Sequence, residues 1–268
     1  MPRSRMLGFL QQGGRRTSQG MQQTGDQIGG FGIRRWRAWA PGVETGSDWE
    51  AWLAGAPAAA SPVQPDVSQL PAMLRRRLDP LGRMALHTAW SCLDGVAAAQ
   101  FVFASRHGSL PRTVELLAAL ARQQPLSPTL FSVSVHNGTA GLYSMARGDR
   151  SAATAVAAGA DTLGMGLLEA ACQVNTGAAH VLFCYADESL PEPYTHAPGN
   201  AGNCAAFSIA MLLEPVAPAS DVYRLLPAAS AASEAPVKAL LRFLIEHRAN
   251  ADLGVEQRWR LQRSPGAG

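Results

Sequence analysis

The residues with chemistry to offer are concentrated between Val135 and Glu188. His136, Asp161 and Asp187 are acid–base groups there, and Thr154 carries a hydroxyl close to a tight turn. The turn falls in Thr154-Ala155-Val156-Ala157-Ala158-Gly159, where an uncharged strand feeds into an apolar helix. Such a strand-to-helix turn exposes a side chain at the end of an α/β sheet, a place where nucleophiles are held. Only Thr154 could act as one here. It is expected on the opposite side of the strand from Val156, with no visible base beside it. His136, followed by Asn137-Gly138, could line a pocket; standing alone it reads as structural. Asp161 near a helix N-terminus is favoured as the anion, which suits a structural carboxylate better than a proton donor.

Other chemistries are excluded by spacing. The four cysteines, Cys92, Cys172, Cys184 and Cys204, occupy separate apolar segments without CxxC spacing, which predicts reduced thiols rather than disulfides or zinc. Six scattered histidines form no HExxH or paired-ligand pattern, so no metal is expected. The net charge of +3 is modest, and Lys238 is the only lysine. No aromatic-and-basic module for nucleic acid is apparent. No apolar run reaches the ~20 residues of a membrane span, and no apolar segment follows Arg15-Arg16 as a signal would require. A cytoplasmic protein is expected.

The elements that must position these groups read as follows. Residues 1–30, rich in Gln, Gly, Arg and Ser, are expected to be a disordered leader. Phe31 to Ala40 reads as an edge strand, with Ile33, Arg35, Arg37 and Trp39 on one side and Arg34 and Trp36 on the other. Ser47 is the expected N-cap of a short helix, with Glu50 completing a capping box. Residues 56–71 form a Pro/Ala/Ser-rich loop, and Arg75-Arg76-Arg77 a small basic cluster. An amphipathic helix over Leu81 to Ala99, a strand over Gln100 to Ser105 and a helix over Thr113 to Gln123 follow.

Asn137 is the expected side-chain N-cap of a helix from Thr139 to Arg147, closed by Gly148 in the left-handed conformation. Ser151 to Ala158 has no charge on either side, which predicts a strand buried on both faces in a parallel sheet. The next helix starts either near Ala157 or later, capped by Asp161. Its body to Gln173 is apolar nearly all round and includes Gly164 and Gly166, so it belongs inside the molecule. A strand from His180 to Ala186 follows. Asp221 to Leu226 reads as a short strand, and Val237 to His247 as a helix that packs on the body or on another chain. Val255 to Arg263 reads as a basic edge strand or tail.

Ser144 to Gly166 (SMARGDRSAATAVAAGADTLGMG) resembles the β-ketoacyl synthases of the thiolase fold, with their order of helix, buried strand, cysteine elbow and buried helix. Thr154 to Gly164 is similar to that elbow, which runs Thr-Ala-Cys, two small residues, then Gly. Ala178 to Glu188 and Cys204 to Pro215 resemble later strands of the same half. SVHNGTAGLYSMARGD, AAGADT and YADESLPEPY resemble ketosynthase-like subunits found beside aryl polyene and xanthomonadin-type pigment pathways. The resemblance covers roughly 31–263. It implies an α/β fold, the N-terminal half of a thiolase-like fold: a mixed sheet with a buried central helix, plus a C-terminal helix and tail. The implied organisation is a leader at 1–30, a β-ketoacyl synthase-like domain at 31–226 and a C-terminal helix and basic tail at 227–268. It also favours the earlier helix start, with the elbow at Val156.

What the resemblance implies for function turns on two departures. The cysteine position holds Val156, whose side chain cannot be acylated, and Cys172 lies about four turns along the same helix. The second half, which supplies the decarboxylating histidines of ketosynthases, is not expected within this chain. The implied role is a non-catalytic subunit of the chain-length-factor kind. It would pair with a catalytic ketosynthase as a heterodimer, bind no cofactor itself, and meet a phosphopantetheine-tethered acyl chain through acyl carrier protein. Thr154, Ala155, Val156, Ala157, Ala158, Gly159, Asp161, Gly164 and Gly166 are then candidates for elbow, tunnel wall or interface. The dimer contact is expected along Ser151 to Ala155, and the basic tail is a candidate contact for the carrier protein. The alternative is a stand-alone acyl-transferring or acyl-binding enzyme using His136 and Asp161, or Asp187, as acid or base.

Overall fold

The computed structural model describes residues 29–56, 64–93, 95–192, 194–196, 206–228, 233–257 and 259–266. The expected leader therefore lies outside the described residues except for Gly29 and Gly30, as does Cys204. In chain order the first elements are β1 (Gly32–Trp39), α1 (Gly46–Leu53), α2 (Ala72–Arg75), α3 (Pro80–Cys92) and β2 (Gln100–Ala104). Then come α4 (Leu110–Ala121), α5 (Pro128–Ser134), α6 (Gly138–Arg147), β3 (Ala153–Val156), α7 (Thr162–Asn175) and β4 (Val181–Asp187). The last are β5 (Phe207–Glu214), β6 (Val222–Pro227), α8 (Pro236–Ile245), β7 (Asn250–Asp252) and β8 (Trp259–Ser264).

Five strands form a mixed sheet in the order β1-β5-β4-β2-β3. β2 runs parallel to both β3 and β4, whereas β5 runs antiparallel to β4 and β1. The alternation of side chains across a strand divides the interior into two cores. Val102, Ala104, Val181, Phe183 and Ile209 face one core, completed by Leu167 and Ala170 of α7 and Leu240 and Phe243 of α8. Phe101, Phe103, Leu182, Cys184 and Leu212 face the other, completed by Met84, Ala85 and Ala89 of α3 and Leu142 and Tyr143 of α6. All seven residues of β4 are buried, as a central strand covered on both faces requires. The mixed α/β sheet, the buried central helix and the C-terminal helix agree with the expected thiolase-like half-fold.

Several local expectations give way to the structure. Thr45, not Ser47, caps α1: its hydroxyl accepts from Asp48 N and Asp48 returns the bond, so the capping box starts two residues earlier. A β-bulge between Ile33 and Arg35 shifts the alternation of β1. Ile33 consequently joins Trp36 and Ala38 on the α7 side, and Trp39 packs on the other. Asn137 occupies the N-cap of α6 but makes no side-chain capping bond, while Gly148 ends that helix at φ +63° as expected. β8, expected at an edge, is the centre of a second antiparallel sheet, β6-β8-β7. β6 reaches to the expected boundary at 226/227 and pairs with β8 on its far side.

Candidate functional site

The elbow is built on β3, the outermost strand of the five-stranded sheet. Phe101, Val102, Phe103 and Ala104 of β2 align with Ala153, Thr154, Ala155 and Val156, and Ser105 N donates to Val156 O. The other edge of β3 has no strand partner among the described residues. Ala153 is exposed, and Thr154, Ala155 and Val156 are half-buried. The expectation of a strand buried on both faces is therefore corrected. The lack of charge in this segment marks a bare edge of small residues, not an interior strand of this chain.

Thr154 and Val156 are two residues apart and so share one face of β3, against the expectation that they oppose each other. That face looks at α7: Gln173 Nε2 donates to the Thr154 hydroxyl at 3.2 Å, and Val156 packs against the core that holds Leu163 and Leu167. The hydroxyl thus meets an amide donor rather than a base. After Val156 the chain does not turn at once into a helix. Ala157 and Ala158 are followed by a 3-10 turn at Gly159–Asp161, and α7 begins only at Thr162. Thr162 Oγ1 accepts from Ala158 N and donates to Gly159 O, and Gly159 sits at φ +57°. The later of the two expected helix starts is the correct one, and Ala157, Ala158 and the 3-10 turn stand between Val156 and α7.

Asp161 does not cap its own helix with its side chain. Its carboxylate, 3% exposed, accepts backbone N–H bonds from Val255 at 2.6 Å, Glu256 at 3.0 Å and Gln257 at 2.8 Å. Three consecutive amides wrapping one carboxylate form an anion nest that ties the C-terminal sheet to the head of α7. Gly164, one turn on, touches the same loop, because a Cβ there would stand 2.9 Å from Leu253 O. Gly166 faces the sheet, where a Cβ would meet Ala104 Cβ at 2.6 Å and Phe183 Cε2 at 2.8 Å.

A second polar constellation sits where β2 and β4 end, and it brings His136 and Asp187 to one residue, Ser105. The Ser105 hydroxyl donates to Asp187 Oδ1 at 2.8 Å, and His136 Nε2 lies 2.8 Å from the Ser105 carbonyl oxygen. The imidazole therefore donates to a carbonyl and does not reach the hydroxyl as a base would. Asp187 also accepts from Arg106 N at 2.9 Å and from the Tyr185 hydroxyl at 2.5 Å. Burial and the adjacent Asp187 hold the Tyr185 phenol well above its ordinary range, so it stays a donor. Asp187 is used up as an anchor for the β2 turn. Asp161 is engaged instead by the C-terminal loop.

Beside this network lies a group that sequence reasoning missed. Asp79 caps α3 through Gly82 N at 2.7 Å, accepts from Ser109 Oγ, and meets Arg112 Nε at 3.7 Å. Glu188 approaches the same cluster: burial, and then the charge of Asp79, push its carboxyl up to about 8. The Asp79-Pro80 pair, an N-cap followed by Pro at N1, was the sequence signal for the first of these contacts. Nothing local announces the rest. Burial pushes the Cys92 and Cys184 thiols up to about 12, so neither is a nucleophile near neutral pH. Among the described residues no group of three or more His, Cys, Asp or Glu could hold a metal ion, and no helix is long and apolar enough to cross a membrane.

Comparison with known proteins fits this geometry. Residues 49–252 match the family described as β-ketoacyl synthase, N-terminal domain. No curated protein sequence matches. Among solved structures, a chain from the complex of the ketosynthase ApeO with its chain length factor ApeC, from Xenorhabdus doucetiae, is 29% identical with a TM-score of 0.72. The alignment covers 87% of this chain and 99% of that one. The ishigamide ketosynthase/chain length factor is 18% identical with a TM-score of 0.54, over 82% of this chain and 73% of that one. A β-ketoacyl synthase from Burkholderia phymatum STM815 is 12% identical at 0.52, over 84% and 70%; these last two show the fold alone. With the match spanning both the elbow and the strand that begins the nest loop, this chain belongs to the β-ketoacyl synthase family through its N-terminal domain.

Proposed function

We propose that this chain is a non-catalytic, chain-length-factor-type subunit that pairs with a catalytic ketosynthase and helps shape the space for a growing polyene acyl chain. The observation that carries the reading is Val156. It occupies the elbow at the end of β3, aligned with Ala104, where the family resemblance implies a cysteine. A valine offers no lone pair for thioester exchange. The neighbouring polar groups are committed: Thr154 to Gln173, Asp161 to the C-terminal loop, and His136 and Asp187 to the Ser105 turn. The complex of a ketosynthase with its chain length factor, to which this chain is similar, supports the pairing. The acyl chain would arrive on the phosphopantetheine arm of an acyl carrier protein, in aryl polyene biosynthesis.

The direct test is intact mass spectrometry of this chain and of its co-purified ketosynthase after incubation with acyl and malonyl carrier proteins. An acyl adduct is expected on the ketosynthase and not on this chain. An adduct or released product with this chain alone would overturn the reading in favour of a stand-alone enzyme using His136 or Asp161. The basic tail is weaker ground for carrier-protein docking. Arg260 is paired with Asp252 at 2.7 Å, and Arg263 lies 3.7 Å from Asp221.

A further inference from the structure

We infer that the cleft between the C-terminal ends of α3 and α6 binds a small organic carboxylate through Arg147. The site shares no residue with the elbow and needs no ketosynthase. The cleft has a volume of about 460 Å3, within the ~300–1,000 Å3 of small-molecule sites. Its walls are Trp90 and Leu93 at the end of α3, Val96 and Ala97 in the loop that follows, and Arg147 from the last turn of α6. Ser91 also lines it, but its hydroxyl donates to His87 O at 2.9 Å. Arg147 is the one charged group among the described lining residues.

Arg147 is held in place yet meets no anion there. Its Nη2 donates to Val96 O and to Ala97 O, both at 2.8 Å, and its Cζ stands 5.4 Å from the centre of the Trp90 ring. A guanidinium has five N–H groups in a fixed fork, and both of these bonds come from one nitrogen. Nε is buried without an acceptor among the described residues. Asp149, the carboxylate nearest to it in sequence, accepts instead from Ala99 N and Ser151 N. A fixed cation with unused donors beside an apolar wall suits a carboxylate: the guanidinium meets its oxygens, and Trp90 and Ala97 meet its apolar body. A single positive charge selects a monoanion. Polyphosphates require several cations, and the carbonyl ends of α3 and α6 oppose further negative charge at the site.

The test is an NMR titration of the full chain with benzoate, butyrate, their neutral amides benzamide and butyramide, and inorganic phosphate. Benzoate or butyrate is expected to bind with a dissociation constant below about 10 mM, and the matching amide at least tenfold more weakly. Arg147→Gln should weaken carboxylate binding at least tenfold, while Arg150→Gln, at an exposed position outside the cleft, should leave it unchanged. Arg147 also ties down the loop after α3. If Arg147→Gln melts early, Ser91→Phe, which fills the cleft from an exposed position, replaces it, and the tenfold loss is still required. Absence of carboxylate binding up to about 10 mM, equal binding of acid and amide, or binding that survives these variants overturns the site. Phosphate that binds more tightly than either carboxylate, and is lost in Arg147→Gln, reassigns the cleft to phosphate esters and overturns the proposed ligand.

Discussion

Asp161 at the head of α7 accepts a hydrogen bond from the backbone N–H of Gln257 at 2.8 Å, and Val255 and Glu256 add theirs to the same carboxylate. This contact joins the segment after the elbow to the loop between β7 and β8. Hydrogen bonds to a charged group contribute about 1.5–3 kcal/mol, and leaving buried donors unpaired costs a similar amount. Asp161→Ala is therefore expected to lower unfolding free energy by roughly 2–4 kcal/mol, read in urea melts, and to speed proteolysis after Ile245. Asp161→Asn should also destabilise, because its amide group turns a donor toward the nest. A change below about 0.5 kcal/mol, the usual effect of a surface substitution, would show that the nest does not hold the two parts together.

Two helical glycines, Gly166 of α7 and Gly141 of α6, separate packing from helix propensity. A Cβ on Gly166 would press into Ala104 and Phe183, both in the core. Overpacking costs about 1–3 kcal/mol, which exceeds the gain of up to ~1 kcal/mol for replacing helical glycine by alanine. Gly166→Ala should thus be net destabilising. Gly141, on the exposed face of α6, has nothing within 4 Å of where a Cβ would stand, so Gly141→Ala should stabilise by roughly 0.5–1 kcal/mol. Thermal melts of both variants check the pair, and equal signs would contradict it.

Restoring a thiol tests the geometry of the elbow. Val156 is separated from the first turn of α7 by Ala157, Ala158 and the 3-10 turn, so a cysteine there receives no first-turn dipole. Val156→Cys should alkylate with iodoacetamide with a midpoint near the ordinary ~8.5 of a free thiol. Cys92 and Cys184, held up to about 12 by burial, stay silent over that range, and Cys172 is also raised by burial. A midpoint well below ~7, the range of thiols activated by a helix N-terminus, would mean that the turn activates a nucleophile after all.

What was legible in the sequence follows from how far each signal reaches. The apolar runs of β4 and β5, the apolar circumference of α7 and the glycine ending α6 are local patterns, and each element appears where its pattern lies. Strand order is not local. The uncharged β3 segment carries the composition of an interior strand, yet no strand covers its outer edge among the described residues. The β1 bulge escaped because it inserts a residue without any change of composition. Asp161 read as a helix cap because local rules weigh only the nearest amides, whereas its partners are Val255, Glu256 and Gln257. His136 and Asp187 were both noticed, but their meeting at Ser105 depends on the parallel pairing of β2 with β4.

Glu188 makes stability depend on pH in a direction opposite to most carboxylates. Its folded carboxyl is pushed up to about 8 by burial and by Asp79, against an ordinary value of 4.5. Between those limits the folded chain holds a proton that the unfolded chain has released. Stability from this group is therefore present below about 4.5 and is lost as pH rises to about 8. His107 acts at the other end. Burial lowers its pKa below 6.5, so its contribution is lost as pH falls through that lowered value. Between pH ~7 and ~8 the histidine is largely neutral in both states and the buried thiols, with an ordinary value of 9.0, are still largely protonated in both, so the Glu188 slope dominates there. The melting temperature should fall between pH ~7 and ~8 in the wild type, and Glu188→Gln should flatten that fall while leaving the acid limb in place. A wild-type profile already flat over this interval would mean that Glu188 is ionised in the fold, with Arg112 rather than burial setting its charge.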